Sequence, residues 1–500
     1  MMALRVKFSS SSSRKFLLSS EGGASLLLSC CIFFCMSASF GTYWAFSSSY
    51  RLHPIKFLTF PERHKSSSAF LVTDRDRARH PFNRGDHQEF PDGQDLDSCE
   101  GRRVFMYELP RRFNLEVLEK CDKMVSWLTF CDHFINHGFG KALAGANSSW
   151  YATDPYMLEV IFHERMHRYR CLVNSPREAD AFFIPYYAGL DALRFLYGAD
   201  NLNRHEQGVD LVEFLEANYS WSWTRNLGHD HFMVTGRTAW DFASYRGKSG
   251  SSWGTSLRLL KQMENVTTLV MERRPWDRTE QAIPYPTSFH PATKSELQAW
   301  IERVKASPRA NFMSFAGAPR PQQNESIRGI LFEQCRKSRS CEAVNCSKLR
   351  CAHNPLPIAE KLLSSIFCLQ PQGDTSTRRS SFDSLVCGCI PVFFHADSAY
   401  TQYTWHLPRE RESYSVFIPE EDIRRDGLEV EEFLRSKFSS QRIGELQRNI
   451  RKIIPRLLYT GKPWSSGDGG RDSLDGEDDA FDVSVKEMVE KSQRTQFSST

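Results

Sequence analysis

The residues Gln370-Pro-Gln-Gly373-Asp374-Thr-Ser376-Thr377-Arg378 place a glycine, three hydroxyls and a guanidinium between two apolar runs, 366–369 and 390–394. A helix start is expected at Ser376/Thr377, with Arg378 and Arg379 in its first turn, and Cys387-Gly-Cys389 ends it. Strand–loop–helix–strand is the unit of a parallel α/β sheet. Such a loop suits a diphosphate, because a helix N-terminus offers free N–H groups and partial positive charge, and arginine binds phosphate bidentately. A second strand, 311–315, runs into Gly317 and Arg320. Ligands of open α/β sheets bind at the carboxyl ends of strands, so both Gly/Arg ends are expected to converge on one anionic site. Asp383, on the helix after the loop, is a candidate acceptor for a ribose diol.

General-base types are densest at His229-Asp230-His231, just before a strand. A hydroxyl needs such a base to become a nucleophile at neutral pH. Cys131-Asp132-His133-Phe134 is a second, weaker pairing of His with Asp. Neither run has the helical or cysteine spacing of a zinc site, and no metal site is expected. The acidic pairs Asp74-Arg-Asp76 and Asp95-Leu-Asp97 lie before the folded region. Most tryptophans and tyrosines read as core. The cluster Tyr400–His406, beside the proposed site, is the exception that invites a sugar-stacking role.

Elements must position these groups. Strand-like runs at 104–107, 181–185, 232–235 and 268–271 alternate with helical patterns, and a second alternation runs through 311–315, 366–369, 390–394 and 415–418. Asp154 as N-cap with Pro155 after it starts a helix to about Arg168. A chain of 500 residues accommodates two folded domains plus appendages. The reading is an N-terminal domain over 99–300 and a C-terminal, nucleotide-binding domain over 301–460. Residues 461–500, acidic and Gly/Ser-rich, are expected to be a disordered tail.

The net charge of +4 excludes a dedicated nucleic-acid binder. Residues 24–46 are mostly apolar and uncharged, long enough at about 35 Å to span a bilayer. Arg5, Lys7, Arg14 and Lys15 in residues 1–23 set a cytosolic N-terminus. A cleaved signal peptide is the alternative, and either leaves the rest lumenal. Residues 47–98 form a stem. Sequons at Asn147, Asn218, Asn265, Asn324 and Asn345 agree with that compartment. Eleven cysteines follow the apolar segment, and the cluster Cys335, Cys341, Cys346, Cys351 suggests disulfides; the odd number leaves one thiol over.

The segments V-F-M-Y-E-L-P at 104–110, A-D-A-F-F-I-P-Y-Y-A-G-L-D at 179–191, G-H-D-H-F at 228–232, F-A-G-A-P-R-P at 315–321 and Q-P-Q-G-D-T-S-T-R-R-S-S-F-D-S-L-V-C-G-C-I-P-V-F-F at 370–394 resemble the exostosin family of glycosyltransferases. The resemblance covers roughly residues 100–460 and is specific to the plant xyloglucan galactosyltransferase branch. It implies a GT-B fold, two Rossmann-like domains facing a cleft, with the donor on the C-terminal domain. It further implies a single-pass type II Golgi membrane protein that transfers galactose from UDP-galactose to xylose side chains of xyloglucan, with inversion, without a metal, and in company with other Golgi glycosyltransferases. Arg378 and Arg320 would then bind the diphosphate, and Asp383 the ribose. Gln372 and Cys387 depart from the branch's pattern. Relatives using galacturonic acid or arabinose share nearly the same motifs, so another UDP-sugar remains open. So does a glycan-binding Golgi subunit without catalysis; a glycoside hydrolase would need two opposed carboxylates.

Overall fold

Runs of β-branched and aromatic residues too short to fold alone are paired edge to edge, all in parallel, with helices between them. The computed structural model describes residues 99–497 except 126–128, 144–148, 197–203, 244–252, 319–325, 350, 352–353 and 461–477. The apolar run 24–46, the stem, Arg320, Asn147 and Asn324 therefore lie outside the described residues.

Among the described residues the first sheet contains β1 (Val104–Met106), β2 (Leu172–Val173), β3 (Ala181–Ile184), β4 (His231–Val234), β5 (Thr267–Val270) and β6 (Glu280–Ala282), in the order β2-β1-β3-β4-β5-β6. The second contains β7 (Asn311–Gly317), β8 (Cys341–Asn345), β9 (Ser365–Gln370), β10 (Ile390–Phe393) and β11 (Val416–Phe417), in the order β11-β10-β9-β7-β8. Parallel strands are covered on both faces, so β3 reads Ala-Phe-Phe-Ile with all four residues buried. Asp154 starts the helical segment as expected, its carboxylate accepting from Tyr156 N–H at 2.9 Å, and the helix Leu158–Met166 follows. One hydrophobic cluster runs through both sheets, with Phe232 and Leu269 from the first and Phe367, Leu369 and Val392 from the second, and two further clusters pack around it.

Among the described residues five disulfides pair Cys99 with Cys171, Cys121 with Cys131, Cys335 with Cys341, Cys346 with Cys351, and Cys368 with Cys389. Among the described residues Cys387 is the thiol left over, and it is buried. Of the described sequons, Asn218 is exposed and Asn265 and Asn345 are half-buried.

The expectation of a disordered tail over 461–500 is corrected where the tail is described, while residues 461–477 lie outside the described residues. Residues Ala480–Phe497 form a helix. Phe481, Val485, Met488 and Val489 repeat at helical spacing and are buried. Phe481 packs on Phe162 with ring centroids 4.6 Å apart. The buried Arg165 lies 3.1 Å from Asp482 and 3.6 Å from Asp479, with its guanidinium over the Phe481 ring. Acidic composition hid an apolar stripe whose flanking aspartates have a buried partner. This helix returns the chain from the second sheet to the first, where Lys491 Nζ donates to Thr267 Oγ1 at 2.9 Å.

Candidate functional site

β9 ends at Gln370, whose amide donates to Ser384 Oγ at 2.8 Å and accepts from Ser380 Oγ at 2.6 Å. Gln370 thus ties the strand end to the helix Arg379–Val386. The loop then tightens, with Gly373 N–H donating to the Thr375 carbonyl at 2.9 Å, and Asp374 is exposed. Arg378 stands at the N-cap of the helix, its Nη1 donating back to the Pro371 carbonyl at 3.2 Å. Gly317 lies at the same carboxyl edge, ending the neighbouring strand β7.

The donors of this loop converge on one carboxylate, which comes from the other sheet. Glu272, immediately beyond β5, accepts from Thr375 Oγ1 at 2.5 Å, Thr377 Oγ1 at 2.6 Å, Thr377 N–H at 2.9 Å and Ser376 N–H at 3.4 Å. The Trp240 indole N–H approaches the same carboxylate at 3.4 Å. Tyr285 adds a phenol 2.9 Å from the Thr377 hydroxyl, and burial pushes that phenol well above its ordinary pKa. The carboxyl ends of both sheets therefore meet here, around an anion held by consecutive N–H and O–H donors. Such charge-assisted bonds are about twice as strong as neutral ones, and a phosphate oxygen uses the same donors.

The adjacent arginines divide their work. Arg379 donates to the Thr153 carbonyl and to Ser288 Oγ, each at 2.6 Å, and so fastens the second sheet's helix to the first half of the molecule. Its Nε lies 3.5 Å from Asp383. The Asp383 carboxylate faces that arginine, one turn down the helix from the loop.

The His229–His231 run is corrected as a source of the base. Asp230 and His231 are fully buried, and His231 opens β4, at the amino end of the strand, whereas Glu272 and the loop lie at carboxyl ends. Both imidazole nitrogens are engaged, Nδ1 with Asp230 at 2.7 Å and Nε2 with the Tyr107 hydroxyl at 2.7 Å. The ring stacks on Phe182 at 4.7 Å, and burial lowers its pKa. Asp230 also pairs with Arg225 at 3.0 Å. His229 is half-buried and belongs to the turn before the same strand. The run locks the amino edge of β4. The Tyr400–His406 cluster is likewise packing, since Tyr403 is buried with its hydroxyl on the Met271 carbonyl at 2.9 Å, and His406 is buried against Ala480.

Glu272 escaped the reading from sequence, although its signal was present. It directly follows a strand, and the carboxyl-end rule that selected Gly317 and Gly373 applies equally to the first sheet.

Two parallel α/β sheets thus meet with their carboxyl ends together around a loop whose hydroxyl and N–H donors hold a carboxylate. The exostosin GT47 domain matches residues 98–434, and the chain belongs to that family. It is 41% identical over 402 residues to xyloglucan galactosyltransferase MUR3 of Arabidopsis thaliana, covering 79% of this chain and 63% of that one. It is 39% identical over 402 residues to xyloglucan-specific galacturonosyltransferase 1 of the same plant, covering 80% of this chain and 58% of that one. The chain thus spans about three-fifths of each of those relatives. Among solved structures, WaaG, a glycosyltransferase involved in lipopolysaccharide biosynthesis, matches 50% of this chain and 78% of its own at 10% identity, with a TM-score of 0.24, too low to bear on the fold.

Proposed function

We propose that this protein is an inverting, UDP-sugar-dependent hexosyltransferase of GT-B architecture, transferring galactose from UDP-galactose to xylose side chains of xyloglucan. The observation that carries the reading is the gathering of the Thr375, Ser376 and Thr377 donors on a single carboxylate where the two sheets meet. The name borne by a relative 41% identical supports the sugar and the acceptor.

In this reading the donor's diphosphate takes over the loop donors, with Arg378 alongside. Glu272, released from the loop, accepts the proton of the acceptor hydroxyl as its oxygen attacks the anomeric carbon. The bond from that carbon to the β-phosphate oxygen breaks on the opposite face, and UDP leaves with the electron pair. Arg378 and the helix N-terminus stabilise the charge that develops on the leaving group, which is the work a metal would otherwise do. The apolar run 24–46 and the five sequons support a Golgi type II membrane setting, with the transferase domain lumenal and other Golgi glycosyltransferases as neighbours.

A second reading, transfer of galacturonic acid, is favoured by the galacturonosyltransferase relative at 39% identity. The test is a donor screen on the full-length chain with xyloglucan acceptor, offering UDP-galactose, UDP-galacturonic acid and a UDP-arabinose, with linkage analysis of the product and a parallel assay in chelator. Galactose joined to xylose, at a rate chelator does not change, is expected. Transfer of only another sugar would replace the donor assignment, and UDP binding without transfer to any acceptor would make the protein a glycan-binding subunit.

A further inference from the structure

Tryptophan is rarely left in solvent on an ordered turn, because its large apolar face gains from burial. Trp276 is 70% exposed, yet the turn that carries it, between β5 and β6, is held firmly. Arg274 donates to Glu280 Oε1 at 2.9 Å through Nε and to Asp277 at 2.7 Å through Nη2, and Asp277 accepts the Thr279 N–H at 2.9 Å. Arg273 Nη2 closes on the Pro275 carbonyl at 2.8 Å. A network of charged hydrogen bonds thus fixes the backbone while the indole is presented outward.

Trp240, 41% exposed, stands beside it with ring centroids 5.4 Å apart and planes at 62°. Its indole N–H is the one that reaches Glu272 at 3.4 Å. The exposed pair is therefore continuous with the anion-receiving loop, at the carboxyl ends of β4 and β5. Another exposed tryptophan differs on both counts. Trp221 precedes the amino end of β4, and the Arg177 guanidinium covers its ring at 5.3 Å.

We propose that Trp276 and Trp240 form the acceptor platform, on which pyranose rings of a β-linked glucan chain stack while a side-chain sugar reaches Glu272. Flat C–H faces of pyranoses match an indole face, and sugar hydroxyls remain solvated at the rim. Stacking of this kind reads the apolar faces of successive sugar rings and requires no charge on them. This inference rests on the transferase reading but is measured separately from it.

The experiment compares full-length protein with Trp276→Ala, Trp276→Phe and Trp240→Ala, because removing an indole as exposed as that of Trp276 leaves the core untouched. Kinetics are recorded against xyloglucan and against UDP-galactose, and binding of a soluble xyloglucan oligosaccharide is measured by calorimetry without donor. Trp276→Ala is expected to raise the acceptor KM and the oligosaccharide Kd about tenfold, the loss of roughly one stacking contact. Its kcat and donor KM should not move, as for loss of binding shared by ground and transition states. Trp276→Phe should recover most of the affinity. An unchanged acceptor KM and Kd in both alanine variants would overturn the platform, as would an unsubstituted protein that does not bind the oligosaccharide. If no donor supports transfer but the oligosaccharide binds and Trp276→Ala weakens it, the transferase reading fails and the platform stands.

Discussion

Glu272 and Asp230 are both buried acids that follow or precede a strand of the same sheet, and their surroundings give them opposite tasks. Asp230 is matched to Arg225 and His231 inside the first half. Glu272 is matched to hydroxyls and N–H groups of the second half, which a phosphate can claim instead. Glu272→Gln should lower kcat by about 10²- to 10⁴-fold, the usual contribution of a positioned general base. UDP affinity by calorimetry should hold or improve, because a competing negative charge has left the loop. Asp230→Ala should instead cost about 3 kcal/mol of stability by leaving its buried partners unpaired, with turnover per folded molecule unchanged. The reverse pattern in denaturant titration and kinetics would return the base to the His-Asp-His run. Sequence could rank residue types there but not burial: two histidines and an aspartate look the same in a cleft and in a core.

Elements were the most legible level, and the exceptions are short or polar. The strand–loop–helix–strand around Gly373 lies where residue types placed it, with β9 at Ser365–Gln370, the helix at Arg379–Val386 and β10 at Ile390–Phe393. The helix starts a little later than expected because Arg378 stays extended as N-cap while the preceding threonines turn toward Glu272. β2, β6, β8 and the helix Ala480–Phe497 escaped notice, β2 because it is two residues long and the others because polar and acidic composition outweighed their few apolar positions. That last helix is a load-carrying part of the first half. Phe481→Ala should cost about 3–5 kcal/mol, as for other large buried rings, read as a lower denaturant midpoint. A midpoint within experimental error of the unsubstituted protein would mean that the helix does not dock.

Across the whole molecule, two buried histidines join distant parts of the chain. His290 donates through Nδ1 to the Tyr459 carbonyl at 2.7 Å and lies 2.9 Å from the Thr153 hydroxyl. His406 lies 3.1 Å from the Ala480 carbonyl. Burial pushes each from the usual 6.5 down to about 3. Unfolding restores their ordinary basicity, so the stability they contribute is complete above pH 6.5 and is lost as pH falls from there toward 3. Each contributes up to about 1.4 kcal/mol per pH unit across that window. Burial also raises Glu159 and Asp482 to about 8 from 4.5 and 3.8. Their effect has the opposite sign, with stability falling as pH climbs from about 4 to 8. Melting temperature should therefore peak between pH 4.5 and 6.5 and decline on both sides. His290→Gln should flatten the acid limb and Glu159→Gln the alkaline one; a profile that is level from pH 3 to 8 would refute both assignments.

What the chain determines alone is local. Short continuous apolar runs and a glycine loop before an arginine helix cap dictate buried strands and an anion-receiving turn, because each depends on neighbours a few residues away, and an odd cysteine count leaves one thiol outside the disulfides. Tertiary structure decided the rest. Only the meeting of the two sheets could show that Arg379 fastens the halves while Arg378 attends the loop, that Glu272 from 105 residues upstream supplies the opposing carboxylate, and that Trp276 stays in solvent while Tyr403 does not. Burial and partnership are properties of packed surfaces far apart in sequence, and no local pattern encodes them.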